Sequence, residues 1–247
     1  MVRAAVLAGV AATLALGVQF APPAVPKAPP DPGTLHFDAH WRLIPVGHAT
    51  LAWSDAGGRP QITFTADSIG VVNLFYPVHD RMRARYDPAT FCAEQANNDV
   101  AEGRRHHVTE IAYHPGQHEL VLDENDLTRS PSASKHEVKP IPGCVLDLFT
   151  ALDYVRAQPL HMGDTYTFAV NEGGKTSQVR ARVDLRETVS TPAGRFSCVR
   201  VTPTVEDPAA LNNPGRMWVW FTDDARHLPV QIEARVSWGT LTAQLTP

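Results

Sequence analysis

The sequence predicts an all-β, mainly antiparallel domain, curved into a closed or half-open barrel with one short helix covering an opening. Three observations carry this reading. Apolar and polar side chains alternate with period two along most of the chain, which places successive residues on opposite faces of a sheet. The 21 prolines and 16 glycines punctuate short apolar runs and form no repeat. A single long stretch has helical spacing. Strict alternation marks antiparallel sheet, because parallel strands covered on both faces read as continuous apolar runs.

Taken in order, Phe37, Ala39, Trp41 and Leu43 alternate with His36, Asp38, His40 and Arg42. After Ile44-Pro45-Val46-Gly47 the phase resumes at Ala49, Leu51 and Trp53, which makes a hairpin. Asp55-Ala56-Gly57-Gly58 turns the chain into a third strand with Ile62, Phe64 and Ala66 on its apolar side. A short turn of helix covers Ile69 to Phe75. Further on, Val179, Ala181, Val183 and Leu185 alternate with Arg180, Arg182, Asp184 and Arg186, and Val230 to Trp238 repeats the pattern. Eleven or twelve strands are expected by this criterion. The polar, proline-rich stretch 123–143 reads as a long loop. Residues 145–157 set Val145, Leu148, Phe149, Leu152 and Val155 on one side of a helix that ends at Gln158-Pro159. An open sheet of this size would leave its apolar face wet and its edges unpaired, so it must curl.

Composition narrows the function. With 22 basic and 26 acidic side chains the formal charge is -4, which offers no bulk attraction for nucleic acid. Arg3 followed by an uncharged apolar run to Val18 has the layout of a secretory signal peptide, assigned to residues 1–21. The run is shorter than the roughly twenty residues a spanning helix needs, so no integral membrane span is expected after cleavage. Residues 22–33 contain six prolines and read as an extended linker, leaving 34–247 as one β-rich domain. The expected location is the periplasm or cell envelope.

Five segments also carry a resemblance. They are Gly70-Val71-Val72-Asn73-Leu74-Phe75-Tyr76-Pro77-Val78-His79-Asp80-Arg81, the helical run Asp147 to Arg156, the Glu172-Gly173-Gly174-Lys175 turn, Thr191-Pro192-Ala193-Gly194-Arg195-Phe196, and Asp223 to Val230. Together and in this order they resemble the bacterial exported family called domain of unknown function 3108, over about residues 35–246. The resemblance implies a secreted or periplasmic β-rich protein. It brings no catalytic residue with it.

The chemistry-bearing residues point the same way. Of three cysteines, Cys92 and Cys144 sit at strand and helix ends where bridge geometry is easily met, and an oxidising compartment favours their pairing. Cys198 lies within a strand and reads as a small core residue. Eleven histidines occur without HExxH, CxxC or a carboxylate at metal-ligand spacing, so no metal or cofactor is assigned. No GxSxG elbow or phosphate loop is present, so no catalytic residue is assigned and an enzyme is the minority reading. Asp80 with Arg81, and Tyr154 with Arg156, are candidates for buried ion pairs joining helix to sheet. Trp41, Trp53, Phe64, Phe168 and Trp238 are candidates for an apolar lining, which either fills the core or holds an apolar, lipid-like ligand. The expected role is therefore to bind or carry such a ligand in the envelope. The alternatives are a scaffold without ligand and a hydrolase of envelope polymers.

Overall fold

A computed structural model describes residues 31–206, 216–236 and 239–247. The expected signal peptide, residues 22–30 of the linker and the candidate Trp238 lie outside the described residues. The chain forms one antiparallel sheet. Its first eight strands are β1 (Thr34–Trp41), β2 (Ile44–Asp55), β3 (Pro60–Ser68), β4 (Val78–Tyr86), β5 (Ala93–Glu102), β6 (Arg105–His114), β7 (Glu119–Asp126) and β8 (Ala133–Pro140). The remaining six are β9 (Thr165–Glu172), β10 (Lys175–Thr191), β11 (Gly194–Val205), β12 (Arg216–Thr222), β13 (Pro229–Val236) and β14 (Gly239–Leu245). Helix α1 (Gly70–Phe75) links β3 to β4, and α2 (Leu148–Arg156) lies between β8 and β9.

The order across the sheet is β8-β7-β6-β5-β4-β3-β2-β1-β14-β13-β12-β11-β10-β9, two meanders stitched together where β1 pairs with β14. Fourteen strands among the described residues exceed the eleven or twelve expected. Part of the difference is β8, which falls in the stretch read as loop. Its residues ASKHEVKP are exposed along most of the strand, so no alternation marks it. Lysines on such a strand also guard an edge against adventitious pairing.

The sheet does not close through its ladder, since β8 and β9 are its two edges. The gap is bridged by other means. Leu146 pairs in parallel with Val170: the Leu146 amide donates to Ala169 O (2.9 Å), and the Asn171 amide donates to Leu146 O (2.8 Å). Val145 O meanwhile accepts from the Ala93 amide on β5 (2.8 Å). These extended residues explain why the helix begins at Leu148 and not at Val145. The tip of the β9–β10 hairpin seats against β7 and β8, so closely that a Cβ on Gly174 would lie 2.8 Å from Leu122 Cδ1. Gly174 also holds a φ of +79°, so glycine is required twice over.

The strand ends define two rims. One carries the ends of β2 and β4, the start of β5 and the β12–β13 turn; the other carries the β1–β2 turn, α1, the β5–β6 turn and the β13–β14 turn. Register across adjacent strands sets Phe37, Ala49, Leu51, Ile62, Phe64, Ala84 and Tyr86 on the concave face. There all but Ala84 join the main core with Phe91, Leu146, Val230, Leu245 and residues of α2.

Candidate functional site

Helix α2 runs inside the curl. Asp147 caps its N-terminus: Asp147 Oδ1 accepts from the amides of Phe149 (2.7 Å) and Thr150 (2.8 Å), while Thr150 Oγ1 accepts from the Asp147 amide (2.8 Å). This capping box, with Thr at its third position, fixes where the helix starts. Asp147 is fully buried, and burial pushes its carboxyl up to about 6 despite those amides.

At its other end α2 plugs the first rim through charge. Asp153 Oδ1 accepts from Arg156 NH1 (2.5 Å) and from Trp53 Nε1 (3.1 Å), and the Tyr86 hydroxyl donates to Asp153 Oδ2. Arg156 is 1% exposed and stacks over the Trp53 ring at 5.0 Å. Its Nε donates to His227 O (3.1 Å) and its NH2 to Arg226 O (3.2 Å), while His227 Nδ1 donates back to Arg156 O (2.7 Å). Burial, and then the Asp153 charge, hold the Tyr86 hydroxyl well above its ordinary range. A buried ion pair with this many hydrogen bonds is a lock on helix position, since losing either partner strands the other.

The candidate ion pairs are therefore corrected in their partners. Arg156 pairs with Asp153, and Tyr154 instead packs its ring edge-on against Phe91 and Phe168. Adjacent residues on a strand point to opposite faces, so Asp80 and Arg81 separate. Asp80 is buried on the concave side and accepts from the Ala101 amide (3.1 Å); burial and the nearby Glu102 raise it to about 6. Arg81 faces outward and grips both oxygens of Asp67 at 2.9 Å. Period two alone separates the first pair, and helical spacing i, i+3 could have found the second.

The apolar candidates divide by position. Phe64 stacks on Phe149 of α2 with ring centroids 5.3 Å apart, Trp53 hydrogen-bonds Asp153, and Phe168 meets Tyr154, so these three gather around the helix. Trp41 lies away from them on the second rim and is 37% exposed. The lining that α2 meets is incompletely buried: Trp53, Phe64, Phe149, Leu152, Phe168 and Val170 pack on the core yet stay half-buried. Toward the second rim the same face carries Ala243, Ala39, Ala49 and Ala66 on four neighbouring strands, all half-buried. These small side chains reach less far from the wall than bulky ones would. Helix α2 thus hides Asp153 and Arg156 while Leu148 is 46% exposed.

Several histidines pair with carboxylates. On the convex side His48 meets Asp38 (2.7 Å), His79 meets Asp67 (2.9 Å) and His136 meets Asp123 (2.6 Å), each across two neighbouring strands. Among the described residues no three His, Cys, Asp or Glu side chains are arranged to hold a metal ion. Cys92 and Cys144 form a disulfide with Cα atoms 5.1 Å apart, tying the start of β5 to the approach to α2. Cys198 is buried, and burial raises its thiol to about 11, which keeps it unreactive. No helix among the described residues is long and apolar enough to cross a membrane.

One solved structure shares this architecture. A β-barrel-like protein of domain of unknown function DUF1849 from Brucella abortus superposes with a TM-score of 0.61 at 8% identity, covering 89% of this chain and 97% of the other. An exported-protein assignment with a YmcC-like fold from Bacteroides fragilis aligns at a TM-score of 0.36 and 10% identity over 89% of this chain and 97% of that one. A chain assigned as a lipoprotein from Parabacteroides distasonis gives 0.31 and 8%, over 90% and 97%. No curated protein matches. The first likeness supports the half-open barrel and, at that identity, the fold alone. The profile of the family described as protein of unknown function DUF3108 matches residues 36–246. This chain, an open antiparallel half-barrel wrapped around a single charged-end helix, belongs to the DUF3108 family.

Proposed function

We propose that this protein binds an apolar, acyl-chain-like ligand in the cell envelope, in the hollow between α2 and the alanine-faced wall of β14, β1, β2 and β3. One observation carries the reading: apolar side chains on the concave face (Phe64 and Phe168) and on α2 (Phe149 and Leu152) remain half-buried while charged Arg156 is sealed. A domain that needed only a core would cover those rings, because each fully buried large apolar side chain contributes about 1.5–3 kcal/mol. An acyl chain laid along the alanines would complete that burial. Export is supported by the sequence of residues 1–21 and by the Cys92–Cys144 disulfide, which persists in oxidising compartments.

The test is native mass spectrometry of the chain purified from the envelope, combined with titration of a fluorescent fatty acid. Co-purified lipid, and saturable probe binding that Leu152→Glu weakens at least about tenfold, are expected. Absence of lipid together with absence of probe binding overturns the proposal and leaves the scaffold reading.

A further inference from the structure

The second rim carries an apolar surface that the hollow does not use. Leu43 and Ile44, in and just after the β1–β2 turn, are 94% and 62% exposed. Beside them sits α1, seated by the Ile69 amide on Val46 O (2.9 Å). Val71, Leu74 and Phe75 occupy positions i, i+3 and i+4 of α1, so they form one stripe, and all three are more than 70% exposed. The helix is held in this orientation by its polar side: Ser68 Oγ donates to Asn73 Oδ1 (2.9 Å) and accepts from the Val78 amide (2.8 Å). An amphipathic helix ordinarily turns such a stripe inward. Here it faces out, and five large apolar side chains on two neighbouring elements make a patch of the kind that marks an interaction site.

The charges around the patch identify the partner. Arg42 directly precedes Leu43 and is exposed. The β5–β6 turn places Arg104 and Arg105, both exposed, next to α1: Gly103 packs so tightly on Tyr76 that a Cβ would lie 2.7 Å from the ring, and its amide donates to Pro77 O (2.7 Å). Among the described residues none of these three arginines has a carboxylate within salt-bridge distance, as is also true of Arg83, Arg182 and Arg195, whereas Arg59, Arg81, Arg180, Arg186 and Arg200 do. Apolar tips ringed by unneutralised guanidinium groups match an anionic bilayer surface, where the tips enter the acyl boundary and arginines meet headgroup phosphates.

We infer that this rim docks on an anionic lipid bilayer through Leu43, Ile44, Val71, Leu74 and Phe75, with Arg42, Arg104 and Arg105 on the headgroups. The inference deepens the proposed function and rests on it, since the alanine-faced wall of the proposed binding site lies toward the same rim. It is tested with the chain purified from the envelope after expression from its full sequence, by flotation with phosphatidylcholine vesicles containing or lacking phosphatidylglycerol. Wild type is expected to float with the anionic vesicles and to be released by salt. Leu43→Asp with Phe75→Asp is expected to reduce binding at least about tenfold, and Arg42→Glu with Arg104→Glu by about fivefold per charge removed. These variants lie at exposed positions on turns and at the end of α1, and their unfolding curves check that they fold. Failure of wild type to float, or flotation unchanged in either double variant, overturns the inference. Fatty-acid titration without vesicles reads the hollow separately: loss of flotation with probe binding intact refutes docking alone, and the reverse refutes the carrier reading alone.

Discussion

The two rims of this half-barrel handle polarity in opposite ways. At the first, charge is buried: Asp153, Arg156, Tyr86 and Trp53 interlock beneath the β12–β13 turn, and the disulfide ties the same end together. At the second, apolar side chains are exposed, on the β1–β2 turn and along α1. A protein optimised only for stability would reverse both choices, since buried ion pairs are at best near neutral against an apolar replacement and exposed leucines contribute no burial. The contrast teaches that the first rim fixes the position of α2 and the second is shaped for what it meets.

The largest effect should come from breaking the buried network. Asp153→Ala strands Arg156, the Tyr86 hydroxyl and the Trp53 indole together, and is expected to cost about 3–5 kcal/mol in urea unfolding. Replacing Cys92 and Cys144 by serine releases a link spanning 52 residues and should cost about 2–4 kcal/mol, seen as a lower Tm that reductant no longer changes.

Acidification should act next. The carboxyls of Asp147 and Asp80 both lie at about 6, above the ordinary 3.8 of an unfolded chain. A raised carboxyl binds its proton more tightly when folded, so its contribution is complete below about 3.8 and is lost as pH rises through about 6. Stability should therefore increase from pH 7 to pH 5, by about 1 kcal/mol for each group. Asp147→Asn keeps the cap oxygen and should flatten that slope; a slope unchanged in Asp147→Asn with Asp80→Asn would contradict the assignment. Asp224 does not interfere in this window: burial opposes its ionisation, but Arg226 and Thr222 hold it at about 2, so it is lost only at lower pH. The smallest effect sharpens the contrast within α2 itself. Leu148→Ser, at an exposed position one turn from the Asp153 network, should change stability by no more than about 0.5 kcal/mol.

Much of the fold was legible because a strand writes its facing into every second residue. Phe37, Ala49, Leu51, Ile62 and Phe64 all fall on the side their alternation assigns. Strand β8 was not legible, because an edge strand wet on both faces has no contrast to display. The site was legible in part. Trp53, Phe64 and Phe168 are brought together on α2, while Trp41 sits at the far rim. Arg156 was singled out, yet its partner Asp153 was not, and Asp80 and Arg81 were joined although the pleat sends them apart.

What the sequence determined by itself was the period, the antiparallel meander and the place where the helix interrupts it, all of which are set by neighbours within a few residues. Tertiary structure alone decided which way each helix faces. Helical periodicity marks Leu148, Phe149 and Leu152 as one apolar set, and Val71, Leu74 and Phe75 as another, but it does not say what lies opposite them. That depends on how a fourteen-strand sheet curls, which brings Tyr86, Trp53 and the β12–β13 turn from up to about a hundred residues away to claim the polar end of α2. Once Arg156 and Asp153 are held there, the apolar residues keep whatever surface remains.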